Sequence, residues 1–158
     1  MRLKNFFILL GSICITLLAG FIGSFFNRES IPTWYETINK PFFNPPNWVF
    51  APVWTALFIL MGVSLYLVWT SRKKGKIFNI AIGLFAVQLA LNILWSFFFF
   101  YLQSPFSALI EIIILWFAIL FTIIYFFRIS KAAGYLLLPY IAWVSFAALL
   151  NFAIFLIN

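Results

Sequence analysis

Five continuous apolar runs, at 6–26, 49–70, 77–101, 106–127 and 136–157, constrain this chain more than any other feature. Each is long enough, at about 1.5 Å per helical residue, to cross roughly 30 Å of hydrocarbon. The runs are unbroken rather than alternating, which predicts helices and not the strands of a barrel, because a backbone in lipid must satisfy its own hydrogen bonds. With 66% hydrophobic and 8% charged residues the chain lacks the polar surface of a water-soluble domain, which carries roughly 25% charged residues. The expected fold is all-α, a single integral-membrane bundle of five transmembrane helices over residues 1–158. The first run exceeds the roughly 7–15-residue apolar core of a signal peptide and is read as a span.

Five spans put the N-terminus, the 71–76 connection and the 128–134 connection on one side. That side holds Arg2, Lys4, Arg72, Lys73, Lys74, Lys76, Arg128 and Lys131, against Arg28 and Lys40 on the other. Basic excess in short loops marks the cytoplasmic face. The N-terminus is therefore expected in the cytoplasm and the C-terminus outside, across a bacterial cytoplasmic membrane. The net charge of +7 is thereby an orientation signal, and the expected partner is the lipid bilayer, with no nucleic acid.

Missing residue types narrow the chemistry. The chain has no His and a single Cys, Cys14. No imidazole is present for general-base catalysis, zinc ligation or haem coordination, so no metal site and no obligatory cofactor are expected. Cys14, inside the first apolar run, is expected to pack as a small hydrophobe.

The connection 27–48 is the long one, with Pro32, Pro41, Pro45 and Pro46 among Trp34, Tyr35, Phe42, Phe43 and Trp48. Proline lowers the entropy lost on ordering, which suits a lid folded over the mouth of the bundle. Interfacial anchoring by Trp34, Tyr35 and Trp48 is the competing reading.

Inside the spans, polar and aromatic residues fall on helical stripes. Gln88, Asn92, Trp95, Ser96 and Phe99 share one face of the third span, Tyr140, Trp143, Ala147 and Asn151 one face of the fifth, and Trp54, Phe58, Met61 and Leu65 one face of the second. Bonding between helices accounts for the amides at ~0.6 kcal/mol per contact. Three converging indoles and an amide instead suit a flat, largely apolar ligand. Glu111 is the one carboxylate within a span; pairing or a neutral state is expected of it ahead of proton transfer. Small-residue pairs, Ala19 with Gly23 and Ala86 with Ala90, suit close helix packing and a homodimer through the third span.

Several longer motifs accompany these stripes. They are Trp34-Tyr35, Lys40-Pro41-Phe42-Phe43-Asn44-Pro45-Pro46-Asn47-Trp48, Pro52-Val53-Trp54, Met61-Gly62, Tyr66-Leu67-Val68-Trp69, Gln88-Leu89-Ala90-Leu91-Asn92-Ile93-Leu94-Trp95-Ser96 and the stretch from Leu138 to Asn151. In these the chain resembles the translocator protein family, also called tryptophan-rich sensory proteins or peripheral-type benzodiazepine receptors. The resemblance implies a five-helix membrane protein, commonly dimeric, that binds porphyrins such as protoporphyrin IX and synthetic ligands of the isoquinoline carboxamide and benzodiazepine type. It implies a ligand pocket beneath the first loop, lined by Tyr35, Pro45, Trp54, Phe58, Asn92, Trp95, Trp143 and Ala147. Phe42-Phe43 departs from the Ser-Trp pair of many relatives, and the sterol motif of animal members is not matched at 150–156.

Three functions follow as expectations. The first is a membrane sensor or regulator that binds a tetrapyrrole. The second is light- and oxygen-dependent breakdown of protoporphyrin IX, with Trp54 and Trp143 as the candidate catalytic residues that the resemblance implies. The third is transport of porphyrin or another lipophile.

Overall fold

The computed structural model describes residues 3–158; Arg2 of the basic set lies outside them. Among the described residues every regular element is helical. These are α1 (Leu3–Arg28), α2 (Trp34–Thr37), α3 (Asn47–Trp69), α4 (Lys76–Ser96), α5 (Pro105–Ile129), α6 (Lys131–Leu136) and α7 (Leu138–Ile157), with a π-helical turn, Phe97–Tyr101, prolonging α4. Five segments are long and apolar enough to span a membrane: α1, α3, α4 with its π turn, α5, and α6 together with α7. Their outer faces carry rows of exposed Phe, Leu and Ile, such as Leu18, Phe21 and Phe25 on α1 and Ile113, Phe117 and Phe121 on α5. In water such rows would drive association; in a bilayer they are the lipid-facing surface. The chain is a multi-pass integral membrane protein.

Local chemistry sets the helix ends. Ser104 caps α5 by accepting from the Ser107 amide at 3.3 Å, and Pro105 occupies the first turn, where a missing N–H costs nothing. Ser130 caps α6 in the same way through Ala133. The expected 128–134 connection is thereby corrected to a single non-helical residue, Ser130. Lys131, Ala132 and Ala133 are good helix formers, and Gly134 lets α6 fold back on α5, since a Cβ there would stand 2.5 Å from the Phe127 ring. The long connection also shortens, because α1 runs to Arg28 and α3 starts at Asn47.

The helices close a ring in which α1 touches α3 and α4, α4 packs on α5, α5 on α6 and α7, and α6 on α3. The α1–α3 crossing is the tightest point. A Cβ on Gly62 would lie 2.6 Å from the Ile13 Cα, and beside it Thr16 Oγ1 donates to the Phe58 carbonyl at 2.7 Å. Gly20 accommodates the Phe58 ring, and Gly23 faces Ser96 of α4. The Ala19/Gly23 pair is therefore used within the bundle, both residues being buried. Ala86 and Ala90 lie on the exposed face of α4 beside Gly83 and Val87. Cys14 is exposed on α1 and does not pack in the core, because the α1 stripe that meets its neighbours is Ser12, Thr16, Ala19 and Gly23.

Among the described residues, the basic residues other than Arg28 and Lys40 gather at the end of the bundle opposite the long connection. There Lys73 Nζ donates to the Arg128 carbonyl at 2.8 Å and Lys74 Nζ to the Trp69 carbonyl at 2.6 Å, placing cations at two helix C-termini, where the dipole favours them.

Candidate ligand cavity

Toward the other end the spans part around a cavity of about 560 Å³, within the range typical of small-molecule sites, roughly 300–1,000 Å³. From α3 it is lined by Phe50, Ala51, Trp54, Thr55 and Phe58, from α4 and its π turn by Asn92, Trp95, Ser96, Phe99 and Phe100. From α7 come Trp143, Ala147, Leu150, Asn151 and Ile154. The connection contributes Ile31 and Tyr35, and Asn47 joins from the first turn of α3. Seven of the eight residues named by the resemblance thus meet at one cavity: Tyr35, Trp54, Phe58, Asn92, Trp95, Trp143 and Ala147. The structure does not bring Pro45 into that lining; its carbonyl accepts from Asn44 Nδ2 at 3.0 Å, and Asn47 reaches the cavity instead.

Each indole is backed by another ring, which fixes its orientation. Trp95 stacks on Phe99 with centroids 5.1 Å apart. Trp54 lies 5.6 Å from Phe58 and 6.3 Å from Tyr140, and Trp143 meets Phe50 edge-on at 6.1 Å. The polar stripes are bound to one another. Asn92 Nδ2 donates to the Tyr140 hydroxyl at 3.0 Å, which donates to Gln88 Oε1 at 2.9 Å. Trp95 Nε1 donates to Asn151 Oδ1 at 3.1 Å, and Asn151 Nδ2 to the Pro105 carbonyl at 2.8 Å. Gln88 is buried away from the cavity, so its amide serves bonding between helices while Asn92 does both.

Two residues of the lining carry a polar atom that is buried without a partner among the described residues: the Trp143 indole nitrogen and Asn27 Oδ1. Both oxygens of Glu111 are also buried and unpartnered among the described residues, so of the two expectations for that residue, pairing or a neutral state, the pairing is not made. Glu111 does not line the cavity.

The connection is held over the bundle at several points. Ser30 Oγ donates to the Phe100 carbonyl at 2.8 Å, reaching the π-helical turn. Tyr35 is buried against Phe99 and Phe100, and its hydroxyl donates to Asn44 Oδ1 at 2.9 Å. Burial holds that phenol above the usual tyrosine range, opposed in part by the bond to Asn44. Beyond it, Asn158 and Asn39 bond reciprocally. Phe42 and Phe43 are exposed and do not line the cavity.

Sequence reasoning missed the contribution of α1, where Leu17, Gly20, Phe21, Gly23, Ser24, Asn27 and Arg28 line the cavity. The one signal was the small-residue pair Ala19/Gly23, which marks the packed side of that helix. Exposed lining residues, Phe21, Ser24 and Arg28 of α1 with Asn47, Ala51 and Thr55 of α3, place the opening along the seam where these helices diverge beyond the Gly62 crossing.

Comparison with known proteins matches residues 12–157 to the TspO/MBR family. The chain is 47% identical over 160 residues to a tryptophan-rich protein TspO of Archaeoglobus fulgidus, covering 98% of this chain and 99% of that one. It is 47% identical over 150 residues to the protein of the same name from Chlorobaculum tepidum, 93% of this chain and 94% of the relative. With the human translocator protein it shares 36% identity over 140 residues, 87% of this chain and 82% of the relative.

Proposed function

The chain belongs to the TspO/MBR family, and from that premise we propose that it is a membrane sensor or regulator that binds a planar tetrapyrrole of the protoporphyrin type in the cavity beneath the 27–48 connection. The observation that carries this reading is the cavity itself, walled by the indole-bearing residues Trp54, Trp95 and Trp143. Indole faces supply the apolar contact. In this reading the connection is a lid whose closure shields the guest.

Binding by stacking, in a chain without His, makes metal-free protoporphyrin at least as good a ligand as haem. Titration of purified protein with both, followed by tryptophan quenching, tests this; strong preference for haem would overturn it. Trp143→Phe should weaken binding while leaving thermal stability unchanged, since its N–H bonds nothing among the described residues. Trp54 and Trp143 share the cavity, which favours light-dependent porphyrin breakdown as the second reading. The pigment would then carry most of the chemistry, and equal product yields from wild type and Trp143→Phe under illumination would remove that residue from it.

Two further features belong to the same proposal. The exposed Gly83, Ala86 and Ala90 side of α4 is the face for a homodimer, since small residues let helices approach closely. The basic end of the bundle faces the cytoplasm, which sets the cavity toward the outer leaflet.

A further inference from the structure

The cavity lining has one fixed charge among the described residues. Arg28, the last residue of α1, is its only cation, and no Asp or Glu joins it. The rest of the lining is aromatic, aliphatic or neutral amide and hydroxyl. Arg28 is exposed and stands at the seam between α1 and α3, beside Asn27 with its partnerless Oδ1. The guanidinium lies at the connection end, while the indoles of Trp54, Trp95 and Trp143 line the walls formed by α3, α4 and α7.

We propose that the cavity selects planar guests that carry a carboxylate, with Arg28 holding the acid group at the rim while the ring system lies among the indoles. The inference rests on the proposed ring-binding cavity and adds the charge and orientation of the guest. A carboxylate suits a guanidinium because two parallel N–H donors match its two oxygens. The acid group then remains at the level of the headgroups, so its desolvation is slight, and only the uncharged ring enters the apolar interior. A neutral ester of the same ring would keep the stacking and lose the pairing. A cationic guest would meet like charge at the rim.

The experiment compares protoporphyrin IX with its dimethyl ester on full-length protein in nanodiscs of zwitterionic lipid, for wild type, Arg28→Gln and Arg28→Lys. The two compounds partition differently into lipid, so the quantity read is the acid-to-ester affinity ratio in each variant divided by that in wild type. Arg28→Gln should lower this ratio roughly two- to fivefold, the scale of one exposed charge pair, by weakening the acid and leaving the ester unchanged. Arg28→Lys, which keeps the charge and loses the two-pronged donor, should fall between wild type and Arg28→Gln. A ratio unmoved by Arg28→Gln overturns the inference, as does equal weakening of both compounds. If neither compound binds the wild type, the ring-binding reading itself fails.

Discussion

Asn158 Oδ1 accepts from the Asn39 amide at 2.9 Å while Asn158 Nδ2 donates to the Asn39 carbonyl at 3.0 Å. This two-point clasp fastens the middle of the long connection to the far end of α7. Asn158 Nδ2 also reaches the Ile154 carbonyl at 2.9 Å, which orients the side chain before it meets the connection.

Asn158→Ala should free residues 38–46 without unfolding the bundle. The clasp is exposed, so its net worth is about 0.5–1.5 kcal/mol. Faster amide exchange confined to that segment, with an unchanged melting temperature, is the expected outcome; exchange rates equal to those of wild type would show that the clasp does not restrain the connection.

Asn151→Ala should cost more. Bonds between membrane helices average only ~0.6 kcal/mol, but this change removes two bonds at once, from the half-buried Trp95 indole N–H and to the Pro105 carbonyl, so a loss of about 1–2 kcal/mol is expected. Denaturation in detergent should show the larger loss, accompanied by weaker ligand binding because Trp95 loses its anchor.

Gly62→Ala is expected to separate α1 from α3. The added Cβ meets the backbone of Ile13 at 2.6 Å, which cannot yield as a flexible side chain would, so a loss of about 1–3 kcal/mol follows from overpacking. The Thr16 bond to Phe58 should lengthen with it. A variant as stable as wild type would mean that the crossing has room to relax.

Glu111→Gln should be tolerated. Neither carboxylate oxygen has a partner among the described residues, so the exchange removes no bond seen there while eliminating a group that is expensive to charge in the bundle. Thermal stability at least equal to wild type is expected; a clear loss would reveal a bond that the carboxylate makes.

Much of this architecture was legible in the residues. Run length located all five spans, and three-and-four spacing collected Trp54, Asn92, Trp95, Trp143 and Ala147 on faces that do meet. What escaped was local. Gly134 and Ser130 turn the 128–134 segment into helix through a contact with Phe127 that no window of sequence displays. The role of α1 was hidden because Leu17 and Phe21 look like any lipid-facing residues, and because Asn27 and Arg28 read as the start of a loop until the helix is seen to extend through them. Pro45 and Asn47 differ by two positions, and only the start of α3 decides which one reaches the cavity.

The seam between α1 and α3 opens on the side of the bundle, so below the headgroup level of Arg28 its neighbouring medium in a bilayer would be hydrocarbon. A lipophilic guest would then arrive from a reservoir already enriched by dissolution in the membrane, and occupancy would track moles of guest per mole of lipid. Diluting the vesicles while holding total guest fixed would change little, whereas adding empty bilayer would strip the site.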